Sequence, residues 1–420
     1  MYGSVSLIQA FKAFSHCFFI RMKIYEQLTD SKVWNDFLIY KKENRHLSKS
    51  EEKKLTEYIE KKDYLKAVSE LFGNADWIIP EKKLIRKIET NKKRVVYIYP
   101  RDINYVLKLM TFLLLRKYDG IFADNLYSFR AGGGVNKALY RILKMPEAEK
   151  MYSYKVDISD YFNSIPVDRM CEKLREILWE DPEICQMLIR LIKDSRVIDN
   201  KVTVNEPKGV MAGTPFAVFL ANIYLMELDK NMEEKKFIYA RYSDDIIVFA
   251  GDEAARDEAE QYICSVLYEH GLALNEKKIV RTSPGEAWSF LGIGYNAGTV
   301  DISEISKEKI KAKIRRRARA IKRWQVRKGI DNEKAVKAFI NAVNKKFFDA
   351  DSSHEQTWAR WYFPVINTDK TLKEIDRYVQ HWIRFLATDR HNNKSFEFTY
   401  EDMKRLGYVS LVHEWYEGRG

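Results

Sequence analysis

Two neighbouring aspartates, Asp244 and Asp245, separate two strand-like stretches in the segment KFIYARYSDDIIVFAG. Both stretches are rich in aromatic and β-branched residues, which favours two strands joined by a tight turn at Ser243 and Asp244. Such a turn would place two carboxylates at the tip of a hairpin. Because an Asp-Asp pair is also common in solvated turns, the pair alone fits either a structural turn or a cation site.

A third carboxylate, Asp157, ends another strand-like run, in YSYKVDISDYFNSIP, on an element that can pair beside the hairpin. Three carboxylates on one patch repel one another, and cations between them would stabilise the group. Two Mg²⁺ ions, with Mn²⁺ as a substitute, can activate an attacking 3′-hydroxyl and neutralise a leaving pyrophosphate. The three aspartates therefore predict a two-metal site for phosphoryl transfer.

The elements around these aspartates predict an α+β fold. Short β-rich runs alternate with helical patterns from Lys150 to Tyr295, and helices return after Ile305. The highly charged stretch from Lys41 to Lys93 has apolar residues at helical spacing and is predicted to be helical. Those apolar residues are Leu55, Ile59, Leu65, Val68 and Leu71.

The composition indicates a globular protein with a polyanionic partner. The 420 residues are 46% hydrophobic, and 72 Lys and Arg residues against 60 Asp and Glu give a net charge of +12. Four cysteines show neither metal-ligand nor disulfide-framework spacing, which favours a cytoplasmic setting. The apolar segment Leu7–Ile20 is interrupted by Lys12 and is interpreted as an amphipathic helix, so no membrane association is expected.

A second basic feature is the segment from Lys307 to Lys328, which carries twelve basic residues and one acidic residue. Ile310, Ile314, Ile321 and Trp324 fall on one face of a helix and leave the basic side chains on the remaining faces. This pattern predicts a helix that binds the backbone of RNA or of an RNA/DNA hybrid, with affinity that falls as salt rises. The residues predicted to contact nucleic acid here are Arg315, Arg316, Arg319, Lys322 and Arg323.

These motifs together resemble those of reverse transcriptases. Asp157 in VDISDYFNSI, then KGVMAGTPFAVFLANIYL, YSDD, GLALNEKKI and FLGIGY follow the order and approximate spacing of the palm motifs. NLYSFRAGGG resembles a fingers motif, whose arginine corresponds to Arg130 and is predicted to contact nucleic acid. The resemblance covers about half of the chain and implies a right-hand polymerase with fingers, palm and a helical thumb.

The resemblance assigns roles to single residues. It implies that Asp157 and Asp244 are the metal ligands and that Asp245 supports them. Phe162 corresponds to the aromatic residue that excludes a ribose 2′-hydroxyl, and Arg94 to the basic residue that holds the incoming dNTP triphosphate.

Two further residues complete the implied nucleotide site. Gly213 corresponds to the glycine that lets the backbone approach the nucleotide, and Lys278 to the lysine that serves the leaving pyrophosphate. The sequence departs from the family at Ala212, where a glutamine is usual.

The predicted domains are an N-terminal helical region at 1–75, fingers and palm at 76–299, and a basic helical thumb and C-terminal region at 300–420.

The tail lacks the spaced carboxylates of an RNase H, which argues against a retrovirus-like enzyme. Its last segment, YEDMKRLGYVSLVHEWY, resembles the ends of bacterial defence-associated reverse transcriptases. That resemblance implies a role in antiphage defence and a structured noncoding RNA as template or scaffold.

Alternatives remain beside this interpretation. A retron-type enzyme or a group II intron-like reverse transcriptase and maturase would share the palm motifs, and so would an RNA-directed RNA polymerase. A protein of another class, a non-catalytic RNA-binding scaffold, would have no physical need for three crowded carboxylates.

Overall fold

The computed structural model describes residues 22–43, 47–86, 93–130, 133–145, 148–348 and 358–418. The α-helices are α1 Ile24–Gln27, α2 Ser31–Glu43, α3 Lys49–Glu60, α4 Asp63–Phe72, α5 Arg101–Lys117, α6 Val135–Leu143, α7 Tyr161–Ser164, α8 Val167–Ile177, α9 Pro182–Lys193, α10 Ala217–Tyr224, α11 Met226–Glu234, α12 Glu253–Glu269, α13 Glu304–Lys328, α14 Asn332–Phe348, α15 Trp358–Tyr362, α16 Lys370–Thr388, α17 Tyr400–Arg405 and α18 Leu411–Glu417. Short 3₁₀ turns lie at Asp119–Ile121, Ala148–Lys150, Glu276–Lys278 and Asn393–Glu397.

The strands are β1 Glu81–Arg86, β2 Lys93–Ile98, β3 Tyr152–Asp157, β4 Arg196–Asp199, β5 Val202–Asn205, β6 Ile238–Tyr242, β7 Asp245–Ala250, β8 Val280–Thr282, β9 Trp288–Phe290, β10 Ile293–Asn296 and β11 Thr299–Ile302. They form three sheets, ordered β2-β1-β4-β5, β6-β7-β3-β8 and β11-β10-β9. The prediction of an α+β fold is confirmed. The predicted helix at Leu7–Ile20 lies outside the described residues.

The helices α1 to α4 form an N-terminal layer that packs on α5. The aromatic ring of Phe37 in α2 lies 5.1 Å from that of Phe112 in α5, and the Tyr58 hydroxyl donates to the Asp102 carbonyl. One expectation for this region was wrong: the stretch from Lys41 to Lys93 was predicted to be helical, and it contains strand β1.

The sheet β6-β7-β3-β8 is antiparallel throughout and forms the centre of the palm. Its strands β3 and β7 are almost completely buried because helices cover one face and the thumb side covers the other. Val156 and Val248 belong to the core shared with the N-terminal helices, whereas Ile247 and Phe249 belong to the core shared with the thumb. This sheet therefore joins the two halves of the molecule.

The fingers sheet pairs β1 with β2 antiparallel and with β4 parallel. The third sheet, β11-β10-β9, follows the palm and leads directly into α13. Trp288 in β9 stacks on Tyr295 in β10 at 5.1 Å and also contacts Phe249 of the palm. The motif FLGIGY therefore lies in the β9-β10 hairpin, which is anchored to the palm.

The C-terminal helices α13 to α18 build a helical unit around buried apolar residues of α14 and α16, among them Phe339, Ile340, Ile375 and Ile383. In α13, Ile310, Ile314 and Ile321 are buried as predicted, and Trp324 is half-buried. Gly329, with φ of 62°, ends the helix in the left-handed conformation that glycine tolerates best. The predicted domain limits at 75 and 299 stay a prediction. None of the described helices combines the length and the apolar character needed to cross a membrane.

Candidate active site

The three aspartates lie together at one end of the palm sheet. Asp157, the last residue of β3, is paired in register with Asp245, the first residue of β7. Asp244 occupies the turn between β6 and β7, where Ser243 has a φ of 61°. The Ile158 amide donates to the Asp244 carbonyl at 3.1 Å, which ties the turn to the end of β3. The strand end and the hairpin turn predicted from the sequence are confirmed.

Lysines and an asparagine surround the carboxylates. Lys278 Nζ donates to Asp157 Oδ2 at 2.7 Å, and Asn275 Nδ2 donates to Asp157 Oδ1 at 3.3 Å. Lys155, two residues before Asp157 on β3, places its Nζ 3.6 Å from Asp245 Oδ1. Neither Lys155 nor Asn275 was predicted to have a role at the site. Since alternate strand residues share a face, the spacing of Lys155 and Asp157 is a signal for the first of them.

Burial and mutual repulsion raise the pKa values of the two carboxyl groups at the turn, those of Asp244 and Asp245. Burial raises the pKa of Asp244, and the neighbouring charge of Asp157 raises it further, while Lys278 and Arg94 act in the opposite direction. Burial raises the pKa of Asp245 to about 6, against the opposing effect of Lys155. The native protein thus holds two partly buried carboxylates near a third, and cations would relieve their repulsion.

The donor atoms at this site fit a divalent metal ion. Mg²⁺ prefers oxygen ligands, and the buried Oδ1 of Asp245 accepts no hydrogen bond from the described residues. As the described side chains stand, no three His, Cys, Asp or Glu residues converge on one metal position. Lys278 instead neutralises Asp157 directly. The assignment of Asp157, Asp244 and Asp245 as metal ligands stays a prediction.

The raised pKa of Asp245 has a consequence for stability without metal. A carboxyl group with a higher pKa in the native state than in the unfolded state destabilises the native state as pH rises through about 4 to 6. In the presence of a metal chelator, we expect Asp245→Asn to raise the free energy of unfolding at pH 7.5 by up to about 3 kcal/mol, because the variant has no carboxylate to ionise there. At pH 4 the free energy of unfolding should rise little. Urea unfolding at both pH values measures this, with the exposed Asp168→Asn as control. An equal effect at both pH values would contradict the expectation.

Two residues predicted to contact the nucleotide lie beside the aspartates. The guanidinium of exposed Arg94, on β2, lies 5.9 Å from the ring centre of Phe162 and is close enough to Asp244 to lower its pKa. Phe162 is half-buried on the short helix α7, which begins four residues after Asp157. The structure therefore brings Arg94 and Phe162 to the mouth of the site. Their roles stay predictions.

The segment around Gly213 fastens α7 to the fingers sheet. The Val210 amide donates to the Phe162 carbonyl at 2.9 Å, and the Tyr97 amide donates to the Ala212 carbonyl at 2.8 Å. Gly213 has a φ of 94°, and a Cβ there would lie 2.9 Å from that of Val96. The close approach that requires glycine is thus to strand β2, and a contact with nucleotide stays a prediction.

Ala212, at the position of the family's glutamine, is buried. Its backbone amide donates to Asn163 Oδ1 at 3.0 Å. Both backbone groups of Ala212 are therefore hydrogen-bonded, so the loop is held in place without a glutamine amide.

Arg130 lies apart from these residues and is engaged within the protein. Its Nε and Nη2 donate to the two carboxylate oxygens of Asp119, and its Nη1 donates to the Ala123 carbonyl at 2.6 Å. With these contacts Arg130 stabilises the fold of the segment between α5 and α6. Its predicted contact with nucleic acid stays a prediction.

The basic helix α13 presents its charges to solvent. Arg315, Arg316, Arg319 and Arg323 are exposed and form no ion pair within the described part of the chain. Lys322 is half-buried and pairs with Asp389 at 3.0 Å. Four of the five predicted residues are thus free to meet a polyanion.

A buried ion pair beneath the hairpin was not identified from the sequence. Arg241, fully buried in β6, pairs with the equally buried Asp229 of α11 through two hydrogen bonds. The same guanidinium donates to the carbonyl of Ser243 at 3.3 Å and to that of Asn222 at 3.2 Å. Arg241 therefore holds the turn that carries Asp244.

Comparisons with known proteins identify the family of the chain. The family model for reverse transcriptase (RNA-dependent DNA polymerase) matches residues 79–295, slightly more than half of the chain. This range contains all three aspartates, Phe162 and Lys278. None of the curated proteins searched matches the chain.

Solved telomerase structures share a low sequence identity with the chain. Telomerase of Candida tropicalis lacking its C-terminal domain is 14% identical over 54% of this chain and 55% of that chain, with a TM-score of 0.44. The apo telomerase of Candida tropicalis is 13% identical over 81% and 69%, with a TM-score of 0.45. Telomerase of Candida albicans with a TWJ fragment of telomeric RNA is 12% identical over 86% and 68%, with a TM-score of 0.43.

The chain spans about half the length of the first of these structures. The family match, in contrast, covers both the fingers and the palm, including β2, the palm sheet and the hairpin β9-β10. The predicted right-hand polymerase fold is confirmed. The chain therefore belongs to the reverse transcriptase (RNA-dependent DNA polymerase) family.

Proposed function

We propose that this protein copies an RNA template into DNA by metal-dependent nucleotidyl transfer at Asp157, Asp244 and Asp245. The observation that carries the proposal is the pairing of Asp157 with Asp245 beside the Asp244 turn, in a chain of the reverse transcriptase family. The crowded carboxylates fit two Mg²⁺ ions, for which Mn²⁺ would substitute.

Two bound divalent ions would make the 3′-hydroxyl of the primer more acidic and would neutralise charge on the leaving pyrophosphate. Asp157 and Asp244 would hold them, with Asp245 supporting the turn. Lys278 Nζ, now on Asp157, is more than half exposed and carries a proton that it could give to the pyrophosphate. Release of Lys278 from Asp157 would free a carboxylate oxygen at the same time.

The nucleotide would lie between the palm and β2. Arg94 has an exposed guanidinium, which can donate two parallel hydrogen bonds to a phosphate group of the triphosphate. Phe162, next to Arg94, would lie against the sugar and clash with a 2′-hydroxyl. This placement favours dNTPs and argues for a DNA polymerase over an RNA polymerase.

Primer extension on an RNA template tests this function and the role of Phe162. The wild type is expected to incorporate dNTPs and to reject rNTPs. Removing the ring in Phe162→Ala would open space for the 2′-hydroxyl, so discrimination between dNTPs and rNTPs should fall by about 10- to 200-fold. The measurement is the ratio of kcat/KM for the two nucleotides.

Phe162→Tyr retains the ring and serves as the matched control, with discrimination near that of the wild type. Equal use of rNTPs and dNTPs by the wild type would favour the RNA polymerase alternative. Loss of both activities in Phe162→Ala alone, with an intact fold, would show that Phe162 is not a selective gate.

The thumb is proposed to hold the RNA/DNA hybrid. The unpaired arginines of α13 follow directly after the third sheet, whose hairpin β9-β10 is fixed to the palm through Trp288. Phosphate contacts of this kind release counterions, so binding should weaken steeply as salt rises.

The template is proposed to be a structured noncoding RNA encoded with the protein, in a bacterial antiphage defence system. This proposal is supported by the resemblance of the C-terminal segment to the ends of bacterial defence-associated reverse transcriptases. The segment folds as α17 and α18 against α16. Retron-type and group II intron-like enzymes remain the alternatives within the family. A non-catalytic scaffold is less favoured because it would gain nothing from the raised pKa values of Asp244 and Asp245.

A further inference from the structure

The far end of α16 carries stacked aromatic rings on the protein surface. The ring of His391 lies 4.1 Å from that of Phe385 with an interplanar angle of 11°, and 5.2 Å from that of His381 with an angle of 24°. His381 and His391 are both exposed, whereas Phe385 is half-buried beneath His391. His391 thus lies against two rings of α16 and keeps part of its own surface exposed to solvent.

A further exposed ring, that of Phe396, lies on the 3₁₀ turn Asn393–Glu397, which packs against α16. Phe396 is 62% exposed, and the guanidinium of Arg384 lies 4.5 Å from its ring centre. Arg384 is held by the Phe398 carbonyl, to which its Nε donates at 3.3 Å. One face of the Phe396 ring is therefore covered by a positive charge, and much of the ring is left to solvent. We call the four residues His381, Phe385, His391 and Phe396 the aromatic patch.

The charge around the aromatic patch is mainly positive. Lys322 of α13 lies 5.9 Å from the ring centre of Phe385, although it is paired with Asp389. Arg319 and Arg323, on the exposed face of the same helix, have no ion-pair partner within the described ranges. The patch therefore borders the basic face of α13, which is itself suited to phosphates.

The histidines are better suited to stacking than to binding phosphate. Burial lowers the pKa of His381, and the neighbouring His391 and Arg384 lower it further, which favours the uncharged ring. His391 Nδ1 and His381 Nε2 are 3.3 Å apart and share a hydrogen bond. No third His, Cys, Asp or Glu in the described residues completes a metal site with them.

We propose that the aromatic patch binds unpaired RNA by stacking bases on the rings of His391 and Phe396 while the basic face of α13 holds the adjoining phosphates. Aromatic rings and arginine planes are the surfaces on which single-stranded bases stack, whereas a duplex hides its base faces. The patch would thus distinguish an unpaired segment of the template RNA from a helix. This inference rests on the proposed function but concerns a surface outside the active site.

Equilibrium binding tests the inference with the full chain and two probes, an unstructured RNA oligonucleotide containing 2-aminopurine and a blunt RNA duplex of equal length. The double variant His391→Ala, Phe396→Ala is expected to lose about 10-fold or more in affinity for the single strand, with little change for the duplex. Binding to the wild type should quench 2-aminopurine, and the double variant should lose that quenching.

His391→Phe with Phe396→Tyr retains both rings and should restore single-strand affinity, which separates stacking from charge. Tyr268→Ala, which removes a ring that is 85% exposed on α12, is the matched control and should bind as the wild type does. An equal loss of affinity for both probes, or no loss of affinity for either, would overturn the inference. Primer extension by wild type on a preformed primer–template tests the proposed function separately, because it does not depend on the patch.

Discussion

The double variant Asp244→Asn, Asp245→Asn is expected to retain its bound RNA and to contain no complementary DNA. Both carboxylates lie at the hairpin turn, next to Asp157, and both have raised pKa values because they are poorly solvated. Asparagine keeps their size and removes the charge that a divalent ion needs. A loss of several kcal/mol of transition-state stabilisation corresponds to at least about a 10³-fold lower rate.

The surfaces proposed to bind RNA should be unaffected by this change. The exposed arginines of α13 lie in the thumb helices, separate from the Asp244 turn. The two substitutions also relieve repulsion beside Asp157, so the fold should be at least as stable as that of the wild type.

The measurement is to express each protein together with its flanking genomic DNA and to sequence the nucleic acid that co-purifies. One specific RNA in both preparations, with complementary DNA only in the wild type, is the expected result. DNA in both would show that the aspartates are not catalytic. RNA in both and DNA in neither would favour the scaffold alternative, and primer extension with the wild type would then decide between a scaffold and an enzyme that lacks its trigger.

Local patterns were sufficient to predict the centre of the site. Asp157 ends a strand and Asp244 occupies a hairpin turn, and both positions followed from the neighbouring runs of aromatic and β-branched residues, which are enriched in strands. The buried face of α13 followed from helical spacing in the same way.

Features that depend on distant contacts could not be predicted. Strand β1, EKKLIR, reads as a charged helical segment, yet Lys82 pairs with Glu206 from far along the chain and β1 pairs with β4. The ion pair between Arg130 and Asp119 could not be predicted either, because the sequence around an arginine in a loop does not indicate which carboxylate it pairs with. Sequence patterns also present Arg241 as a charged residue in a strand, whereas it is fully buried.

Replacing Arg241 by methionine is expected to have the largest effect on stability. The side chains of Arg241 and Asp229 have no exposed surface, so the change leaves a buried carboxylate without its cation. Removing one partner of such a pair typically costs about 3–5 kcal/mol. Tyr239 donates to Asp229 at 2.9 Å, and burial together with Asp229 raises its pKa well above the usual value. Its hydroxyl is neutral and cannot replace the positive charge of Arg241.

The same substitution should also reduce synthesis in the molecules that remain folded. Arg241 donates to the Ser243 carbonyl, one residue before Asp244, and to the Asn222 carbonyl of α10. Without these bonds the turn is less well fixed, and small displacements of a reacting group have large effects on rate. We therefore expect kcat to fall more than the affinity for the primer–template.

Urea unfolding and primer extension below the unfolding midpoint separate the two effects. Arg281→Met is the matched control, since Arg281 forms a half-exposed pair with Glu260 and its loss should cost at most about 1 kcal/mol. The double variant Arg241→Met, Asp229→Leu removes both charges and should recover much of the stability, because no unpaired carboxylate remains. It should not recover kcat, since the Ser243 carbonyl still lacks its donor. Recovery of both stability and kcat would show that Arg241 stabilises the core alone and does not position Asp244.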